Sequence, residues 1–219
     1  MAYSTVVFDL DGTLLDTATD LVACVNHALG QHGLPARSDA EVIAFTGNGI
    51  ARLIEQSVPT GTDAALASAV FEDFRAYYGA HALDHTAPYP GVPELLANLR
   101  AAGVACAVVS NKADFAVQKI IEAKMSGCFD AVLGEREQEG IRKKPAPDMV
   151  EAALAQMGRG HESLAYVGDS EVDIATAAAV GCSCVSCTWG FRGREWLVAH
   201  GATTLVDTPD ELQRILLAR

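Results

Sequence analysis

Strand-like and helix-like segments alternate along most of this chain. Short runs rich in apolar and β-branched residues indicate buried strands at 5–8, 104–110, 130–134, 164–168, 182–188 and 204–206. Helical periodicity separates these runs after about residue 90, over 92–102, 113–124, 147–157, 171–180 and 209–217. Repeated alternation of this kind is typical of a parallel sheet that is covered by helices on both faces. We therefore expect an α/β fold with a doubly wound, Rossmann-like parallel sheet.

One long stretch between the first two strands contains helical patterns only. Helices are expected over 17–32, 39–45, 50–57 and about 63–83. Closely spaced proline and glycine residues at 87–91 then indicate a connector. The sequence therefore predicts two domains. Residues 1–15 and 90–219 form an α/β core, and residues 16–89 form an α-helical cap inserted into it.

The composition excludes several kinds of partner. The 219 residues are 50% hydrophobic and 20% charged, as in an ordinary globular protein. The net charge of -12 argues against binding to nucleic acid or to anionic membranes, which requires clustered cationic side chains. Residues 1–4 have no basic region before an apolar stretch of signal-peptide length, and no apolar run is long enough to cross a bilayer. We expect a cytoplasmic protein, and an anionic small substrate stays possible if local cations and a metal offset the net charge.

A close group of cysteines raises the question of a metal cluster. Cys182, Cys184 and Cys187 form a Cys-x-Cys-x-x-Cys pattern, but no fourth ligand follows at a matching spacing. The surrounding small residues indicate a strand, and free cysteine packs as a small hydrophobic residue. We therefore interpret the group as buried, reduced thiols.

Two carboxylates follow the first strand, which is expected at 5–8. Asp9 and Asp11 are two residues apart, so their side chains project to the same side of an extended chain. Two anions at short range require a cation or a shared proton. Mg²⁺ meets this need, because proteins hold it with one or two carboxylates together with substrate phosphate. A turn at Asp11-Gly12 would explain the same residues without any site, so the rest of the chain must decide.

Polar residues also follow the other core strands. The second ends at Ser110-Asn111-Lys112, a basic run occupies 142–147 after the third, and an acidic turn occupies 168–173 after the fourth. Helix caps at Ser110 and Ser170, and a solvated basic loop, would explain each of them alone. In a parallel sheet, however, the carboxyl ends of the strands meet where the ligand binds. Four such strand ends together indicate one active site.

These motifs, in this order, resemble those of the haloacid dehalogenase superfamily of phosphohydrolases. The match is with the phosphoglycolate phosphatase-like branch, in which a helical cap follows the first motif. Four segments carry the resemblance, and they are 9–14 (DLDGTL), 110–112 (SNK), 144–147 (KPAP) and 168–173 (GDSEVD). A shorter match lies in the predicted cap at 46–49 (TGNG).

The resemblance implies a magnesium-dependent phosphatase that acts on a small phosphorylated metabolite, with 2-phosphoglycolate as the leading candidate. Asp9 is then the nucleophile that forms an aspartyl phosphate. Asp11 protonates the leaving alcohol and later accepts a proton from water. Mg²⁺ is held by the carboxylates of Asp9 and Asp169 and by the backbone carbonyl of Asp11. Asp173 supports these ligands from behind.

The resemblance also indicates where the substrate binds. Besides Asp9 and Asp11, the resemblance implies two further catalytic residues, Ser110 and Lys144, which bind phosphoryl oxygens. The core residues of the substrate-binding set are Gly12, Thr13, Ser110, Asn111 and Lys144. The spacing to the prolines at 145 and 147 favours Lys144 over its neighbour Lys143.

Three cap residues, Thr46, Asn48 and Arg52, are candidates for contacting the rest of the substrate. Arg52 could equally be a solvated helix residue. The aromatic side chains of the cap are compatible with a monomer and with a homodimer.

Several other functions on a similar fold remain open at this point. A sugar-phosphate mutase similar to β-phosphoglucomutase shares both aspartates, and a pyrophosphatase is also compatible with the motifs. A 2-haloacid dehalogenase is less compatible, because the resemblance places a second acid such as Asp11 in the phosphotransferases. A phosphoacceptor signalling domain combines a similar sheet with acidic strand ends and a lysine, but the helical insert does not fit it.

Overall fold

The strands of the chain form mainly one parallel sheet. The structure is a computed structural model, and it describes residues 3–218. In chain order, the strands are β1 (Thr5–Phe8), β2 (Leu15–Asp16), β3 (Ala87–Pro88), β4 (Ala105–Ala113), β5 (Ala131–Glu135), β6 (Leu164–Gly168), β7 (Ser183–Cys187) and β8 (Leu205–Val206). Six of them pair in the order β5-β4-β1-β6-β7-β8, with parallel neighbours throughout. The predicted α/β fold with a parallel, doubly wound sheet is confirmed.

The position of β1 determines where a ligand can bind. β1 lies between β4 and β6, with Thr5 opposite Ala105 on one side and Leu164 on the other. From β1 the chain builds the sheet outward through β4 and β5, and then crosses back to β6 and continues to β8. Ligands of open α/β sheets bind beyond the carboxyl ends of the strands where the strand order reverses. The residues directly after β1 occupy that position.

Packing divides the chain into two compact units. One consists of Met1–Asp16 and Pro88–Arg219, and the other of Thr17–Ala87. We call them the core unit and the helical unit. The predicted boundaries, 16–89 for the inserted domain, stay a prediction. Met1 and Ala2, from the N-terminal stretch used to predict localisation, and Arg219, at the end of the predicted core, lie outside the described residues.

The helical unit contains four helices, α1 (Ala18–Gln31), α2 (Asp39–Phe45), α3 (Ile50–Ser57) and α4 (Ala64–His81). α2 begins with a capping box, in which Ser38 and Glu41 satisfy each other's backbone N–H groups. α1 and α4 bury Leu21, Val25 and Phe74 within the unit.

A buried carboxylate ties the two ends of the helical unit together. Asp20 in α1 accepts hydrogen bonds from the backbone N–H groups of His85 and Thr86, at 2.9–3.1 Å. The side chains of the same two residues, at His85 Nδ1 and Thr86 Oγ1, also contact it at 2.9 and 2.8 Å. Burial alone would raise the pKa of Asp20, but these hydrogen bonds lower it below its ordinary value of 3.8.

The described part of the core unit contains six α-helices, and they are α5 (Val92–Ala101), α6 (Asp114–Met125), α7 (Asp148–Met157), α8 (Glu171–Val180), α9 (Arg194–Ala199) and α10 (Pro209–Leu217). The core beneath the sheet is apolar and includes Val7, Val109, Leu133, Met149 and Tyr166. Each fully buried side chain of this size contributes about 1.5–3 kcal/mol to folding. In residues 3–218, no helix combines the length and the apolar character that a bilayer span needs.

The structure also contains short elements that the sequence did not predict. These are α9, the two-residue strands β2 and β3, and a 3-10 helix at Glu137–Glu139. The sequence predicted only helices and a connector at 87–91 between the first two core strands, but this stretch ends in the short strand β3. Predicted strands of similar length, such as β1 and β6, are continuous apolar runs, whereas β2, β3 and the 3-10 helix are not, and α9 is too short to show a helical period. β4 also continues to Ala113, three residues past its predicted end.

Candidate active site

Asp9 lies at the end of β1, where the chain leaves the sheet. Its N–H donates to the carbonyl of Val167 at 2.9 Å and so extends the ladder with β6 by one residue. The chain then turns, with Gly12 N–H donating to Leu15 O at 2.9 Å and Thr13 N–H to Leu10 O at 3.3 Å. Gly12 has a φ of +82° in this turn, and a Cβ there would overlap with Asp169. The turn therefore requires glycine, and it brings the chain against Asp169.

A buried lysine accompanies the Asp9 carboxylate. Lys144 Nζ lies 2.7 Å from Asp9 Oδ1 and 2.8 Å from Asp173 Oδ1. Burial and the charge of Asp173 raise the pKa of Asp9 from 3.8 to about 7, although Lys144 acts in the opposite direction. Burial disfavours the charged form of Lys144, but Asp173 and Asp9 hold its pKa well above the ordinary 10.5. Lys144 is therefore a permanent cation beside a carboxylate that is hard to ionise.

Asn111 fixes the backbone of Lys144. Its Oδ1 accepts from Lys144 N–H at 2.8 Å, and its Nδ2 donates to Lys144 O at 3.0 Å. The peptide bond that follows, Lys144-Pro145, is cis. Asn111 was predicted to bind substrate, but its side chain contacts the backbone of the loop that carries Lys144. Substrate contact by Asn111 stays a prediction.

Two further aspartates come from the turn between β6 and α8. Asp169 accepts from the Thr13 hydroxyl at 3.2 Å and from Phe191 N–H at 2.6 Å. Burial, and then the charges of Asp173 and Asp9, raise the pKa of Asp169 well above its ordinary range. Asp173 is fully buried and accepts from the hydroxyl and N–H of Ser170, at 2.6 and 3.1 Å. It also accepts from the Tyr166 hydroxyl at 3.1 Å.

The carboxylates of Asp9, Asp169 and Asp173 fit a hard divalent cation. One oxygen from each lies within 4.8 Å of the others. Burial, and then their mutual repulsion, raise the pKa of Asp9 and Asp169, so a cation among them would relieve an unfavourable concentration of negative charge. Asp173 is fully buried and accepts four hydrogen bonds, from Lys144, Tyr166 and twice from Ser170, whereas Asp169 accepts two. Asp9 and Asp169 are therefore better placed to act as ligands, with Asp173 behind them.

Asp11 has a partner that the sequence did not reveal. The Lys112 ammonium forms an ion pair with Asp11 Oδ1, and the Lys112 side chain is only 4% exposed. Ser110, two residues earlier on β4, is also buried, and its Oγ accepts from Lys112 N–H at 3.2 Å. Lys112 was noted in the second motif without a role. The available signal was a lysine three residues after the apolar run at 104–109.

The loop after β7 also reaches this group. Trp189 Nε1 donates to Thr13 O at 3.1 Å, in the turn after β1. Phe191 N–H donates to Asp169, as described above, and a Cβ on Gly190 would overlap with Gly12 O and Asp169. Sequence reasoning missed this Trp-Gly-Phe loop, whose only signal was a glycine between two aromatic residues after a strand.

The predicted cap residues lie in the helical unit. Thr46 is buried at the end of α2, where its hydroxyl donates to Ile43 O at 2.6 Å. Asn48 is exposed in the turn that follows. Arg52 in α3 is half exposed and forms an ion pair with Glu55 at 2.6 Å. Their contact with a substrate stays a prediction.

In the core unit, the structure brings together the remaining predicted site residues, which are Asp9, Asp11, Gly12, Thr13, Ser110, Asn111, Lys144, Asp169 and Asp173. A buried carboxylate beside a permanent cation, next to a cation-binding group, suits attack on an anionic centre. A phosphoryl group is such a centre, because its oxygens carry negative charge. A lysine and a metal ion can neutralise that charge while a nucleophile attacks phosphorus.

The chain is similar to known hydrolases over nearly its whole length. The family described as haloacid dehalogenase-like hydrolase matches residues 6–187. A phosphoglycolate phosphatase of Cereibacter sphaeroides is 36% identical over 219 residues, covering 97% of this chain and 99% of the relative. One from Pseudomonas syringae pv. tomato is 32% identical over 222 residues, covering 96% of this chain and 78% of the relative. A crystal structure from Lactobacillus delbrueckii subsp. bulgaricus, named provisionally as a phosphoglycolate phosphatase, has 35% identity, full coverage of both chains and a TM-score of 0.94.

Proposed function

The chain belongs to the haloacid dehalogenase-like hydrolases, in the phosphoglycolate phosphatase-like branch, and from this premise we propose that it hydrolyses 2-phosphoglycolate. It is a phosphatase, and the relatives favour none of the alternatives, which are a mutase, a pyrophosphatase and a phosphoacceptor domain. The observation that carries the proposal is the Asp9 carboxylate, buried against Lys144 at 2.7 Å beside Asp169. The substrate proposal rests on the names of the relatives.

Asp9 is the proposed nucleophile. One of its carboxylate oxygens attacks phosphorus, and the bond between phosphorus and the alcohol oxygen breaks. Asp11, which must carry a proton when the substrate is bound, gives it to the departing alkoxide in this step and takes one from the attacking water in the next. The water oxygen then bonds to phosphorus, the acyl phosphate bond breaks, and Asp9 is restored. Its environment supports this role, since Lys144 stabilises the ionised form that burial disfavours.

The phosphoryl group is held by cations and hydrogen-bond donors. In the proposed complex, Lys144 and Ser110 bind its oxygens, with Gly12, Thr13 and Asn111 shaping the turn and loop around them. Lys144 is positioned for this by Asn111, whose amide engages its backbone from both sides. Lys144 therefore supports the nucleophile in the free enzyme and the substrate in the complex.

A divalent cation completes the proposed site. Mg²⁺ would be held by the carboxylates of Asp9 and Asp169 and by the backbone carbonyl of Asp11, while Asp173 supports them from behind. When bound, it supplies positive charge to the phosphoryl group. The Thr13 hydroxyl and the Phe191 N–H donate hydrogen bonds to the Asp169 carboxylate and so fix its orientation.

The helical unit is the proposed source of substrate selectivity. Thr46, Asn48 and Arg52 are the proposed contacts, and Arg52→Ala tests one of them directly. Unchanged selectivity across a panel of phosphate monoesters would remove Arg52 from the site. We further propose that the protein is cytoplasmic and is a monomer or homodimer, as the sequence led us to expect.

The test of the proposed function is phosphate release from a panel of compounds, with Mg²⁺ and with EDTA. The panel contains 2-phosphoglycolate, an aryl phosphate, pyrophosphate and glucose 1-phosphate. We expect Mg²⁺-dependent turnover that is highest with 2-phosphoglycolate, and a loss of at least about 10³-fold in Asp9→Asn. Asp210→Asn, at an exposed position in the first turn of α10, is the matched control and should retain activity.

Each contrary result contradicts a separate part of the proposal. A better substrate than 2-phosphoglycolate would replace the proposed substrate. Conversion of glucose 1-phosphate to its 6-phosphate would revive the mutase. Full activity of Asp9→Asn would remove Asp9 as the nucleophile.

A further inference from the structure

Lys112 is a buried cation that contacts Asp11 in the candidate active site. Its side chain is 4% exposed, whereas that of its partner Asp11 is 20% exposed. The pair therefore reaches solvent mainly on the Asp11 side. A charged lysine is rarely buried to this degree unless it has an anionic partner. The role of Lys112 has to be sought in what it can bind together with Asp11.

The two buried lysines of the site serve different acids. Lys144 contacts Asp9 and Asp173, on the side where phosphorus is attacked. Lys112 contacts Asp11, which under the proposed function meets the oxygen of the leaving alcohol. Under the proposed function, Lys144 therefore lies beside the phosphoryl group, and Lys112 lies beside the leaving alcohol.

The leaving group of 2-phosphoglycolate carries a second negative charge. Its carboxyl carbon is two covalent bonds from the ester oxygen, so the carboxylate and the atom that Asp11 protonates are close neighbours. A cation that touches Asp11 is therefore within reach of that carboxylate. We propose that Lys112 binds the carboxylate of the substrate and so selects phosphate esters of small hydroxy acids over esters of neutral alcohols. This inference rests on the proposed function and deepens it.

The chemistry of lysine allows both contacts at once. An ammonium group has three N–H donors, so Lys112 can donate to Asp11 and to a substrate carboxylate at the same time. Because the ammonium is shielded from water, this charge-assisted hydrogen bond is stronger than it would be on the surface. A neutral alcohol offers no such partner. The difference between the two kinds of ester is the discrimination that Lys112 would supply.

A simpler role must be separated from this one, because Lys112 could act only by orienting Asp11. In that case its loss would slow the hydrolysis of every ester alike. Under the proposal, its loss affects carboxylated esters selectively. The ratio of kcat/KM for 2-phosphoglycolate to kcat/KM for ethyl phosphate therefore separates the two roles, since ethyl phosphate lacks only the carboxylate.

The kinetic test uses Lys112→Met, Lys112→Gln and the control Lys119→Met, which removes an exposed charge from α6. Both Lys112 variants should lower kcat/KM for 2-phosphoglycolate about 100-fold more than they lower kcat/KM for ethyl phosphate. Lys119→Met should match the wild type with both. Glutamine can still donate a hydrogen bond to Asp11, so Lys112→Gln shows whether the charge itself is needed. An unchanged ratio in both variants would overturn the proposal.

A binding test does not depend on turnover. The ligands are 3-phosphonopropionate, in which a methylene replaces the ester oxygen of 2-phosphoglycolate, and propylphosphonate, which lacks the carboxylate. Titration calorimetry with Mg²⁺ should give the wild type a clear preference for 3-phosphonopropionate, and both Lys112 variants should lose about 100-fold for that ligand alone. Normal binding of propylphosphonate shows that the variants are folded.

The two tests fail in different ways. If the wild type hydrolyses no ester, the proposed function is wrong, but the binding test still decides the role of Lys112. If the wild type hydrolyses 2-phosphoglycolate and Lys112→Gln binds 3-phosphonopropionate as tightly as the wild type, the proposed function stands and the role of Lys112 is wrong.

Discussion

At the scale of single residues, Lys143 and Lys144 are sequence neighbours with different surroundings. Lys143 is 36% exposed and pairs with Glu137 at 3.4 Å, whereas Lys144 is 3% exposed between Asp9 and Asp173. Lys144→Met should lower kcat by at least about 10³-fold, because the nucleophile loses its counter-charge. The free energy of unfolding should fall by about 3–5 kcal/mol, since a buried ion pair is broken from one side.

Lys143→Met is the matched control for that measurement. It should keep kcat within about twofold and lower the free energy of unfolding by less than about 1 kcal/mol, because an exposed ion pair contributes little. Steady-state kinetics and urea unfolding measure both effects. A larger loss in Lys143→Met than in Lys144→Met would reverse the two assignments.

Asn111 gives a second prediction at this scale. Asn111→Ala removes both hydrogen bonds to the backbone of Lys144 and leaves a buried N–H and C=O without that partner. We expect kcat to fall by about 10–100-fold and the free energy of unfolding by about 1–3 kcal/mol. Asn98→Ala, which removes an exposed hydrogen bond to Gln213, should change neither. A normal kcat in Asn111→Ala would mean that the loop holds Lys144 without it.

The individual residues of the site were predictable only in part. Asp9 stands out because it directly follows an apolar strand, and Lys144 stands out because of its spacing to the prolines at 145 and 147. The pairing of Lys112 with Asp11 could not be found in this way. It depends on the path of β4 between Val109 and Ala113, where its register with β5 shifts. Local irregularities of this kind leave no periodic trace in the sequence.

At the scale of elements, the loop after β7 gives a third prediction. Gly190→Ala should push this loop away from Gly12 and Asp169, because the added Cβ overlaps with both. Mg²⁺ affinity, measured by calorimetry, should fall by about 10–100-fold, as for other supports of metal ligands. Gly193→Ala lies in the same loop with open space around the added Cβ, and it should bind Mg²⁺ normally. Equal affinities in the two variants would show that the loop does not position Asp169.

The helical unit gives a fourth prediction. The pKa of Asp20 is lowered in the folded protein, so its contribution to stability is present above pH 3.8 and is lost as the pH falls through the folded value. Asp20→Asn should lower the free energy of unfolding by about 2–3 kcal/mol at pH 7. The difference from wild type should shrink towards pH 3. Asp84→Asn, at an exposed carboxylate paired with His81, is the control and should follow the wild type at pH 7.

Long elements were predictable because they repeat a pattern. The bounds of α2, α3, α8 and α10 coincide with the expected ranges, since each begins at a capping residue, proline or glycine. The short elements β2, β3 and α9 were missed because tertiary contacts, rather than periodicity, define them.

At the scale of the whole molecule, Mg²⁺ should stabilise the fold in a pH-dependent way. The pKa of Asp9 rises from 3.8 to about 7 on folding, so the folded protein holds a proton there that the unfolded chain has lost. The free energy of unfolding should therefore decrease as the pH rises between these values. A cation bound to the ionised carboxylate opposes this decrease and adds about 2.7 kcal/mol at a concentration 100 times its Kd.

The measurement is the melting temperature with Mg²⁺ and with EDTA, at pH 5.5 and pH 8. The increase in melting temperature due to Mg²⁺ should be larger at pH 8, where Asp9 is ionised. Potassium chloride at the same ionic strength should not raise the melting temperature. Asp9→Asn should reduce the difference between the two pH values. An equal increase at both pH values in the wild type would contradict the linkage to Asp9.

The fold class followed from the alternation of strands and helices, but the order of the strands did not. The apolar run at residues 5–8 does not indicate that β1 lies in the middle of the sheet. That position results from side-chain packing and right-handed crossovers, which act between segments far apart in the chain. The four motifs indicated one common site because any parallel order of these strands brings their carboxyl ends to one edge.

The central position of β1 has a consequence for how the protein is made. Its partner β4 is synthesised about 100 residues after it, and β6 about 160 residues after it. At about 5–20 residues per second, the apolar strand that leads into Asp9 waits roughly 8 to 30 seconds for its second neighbour. The helical unit is contiguous and needs no such delay. A chain whose synthesis stops before residue 169 contains the proposed nucleophile but not Asp169, so we expect no activity before that residue has been added.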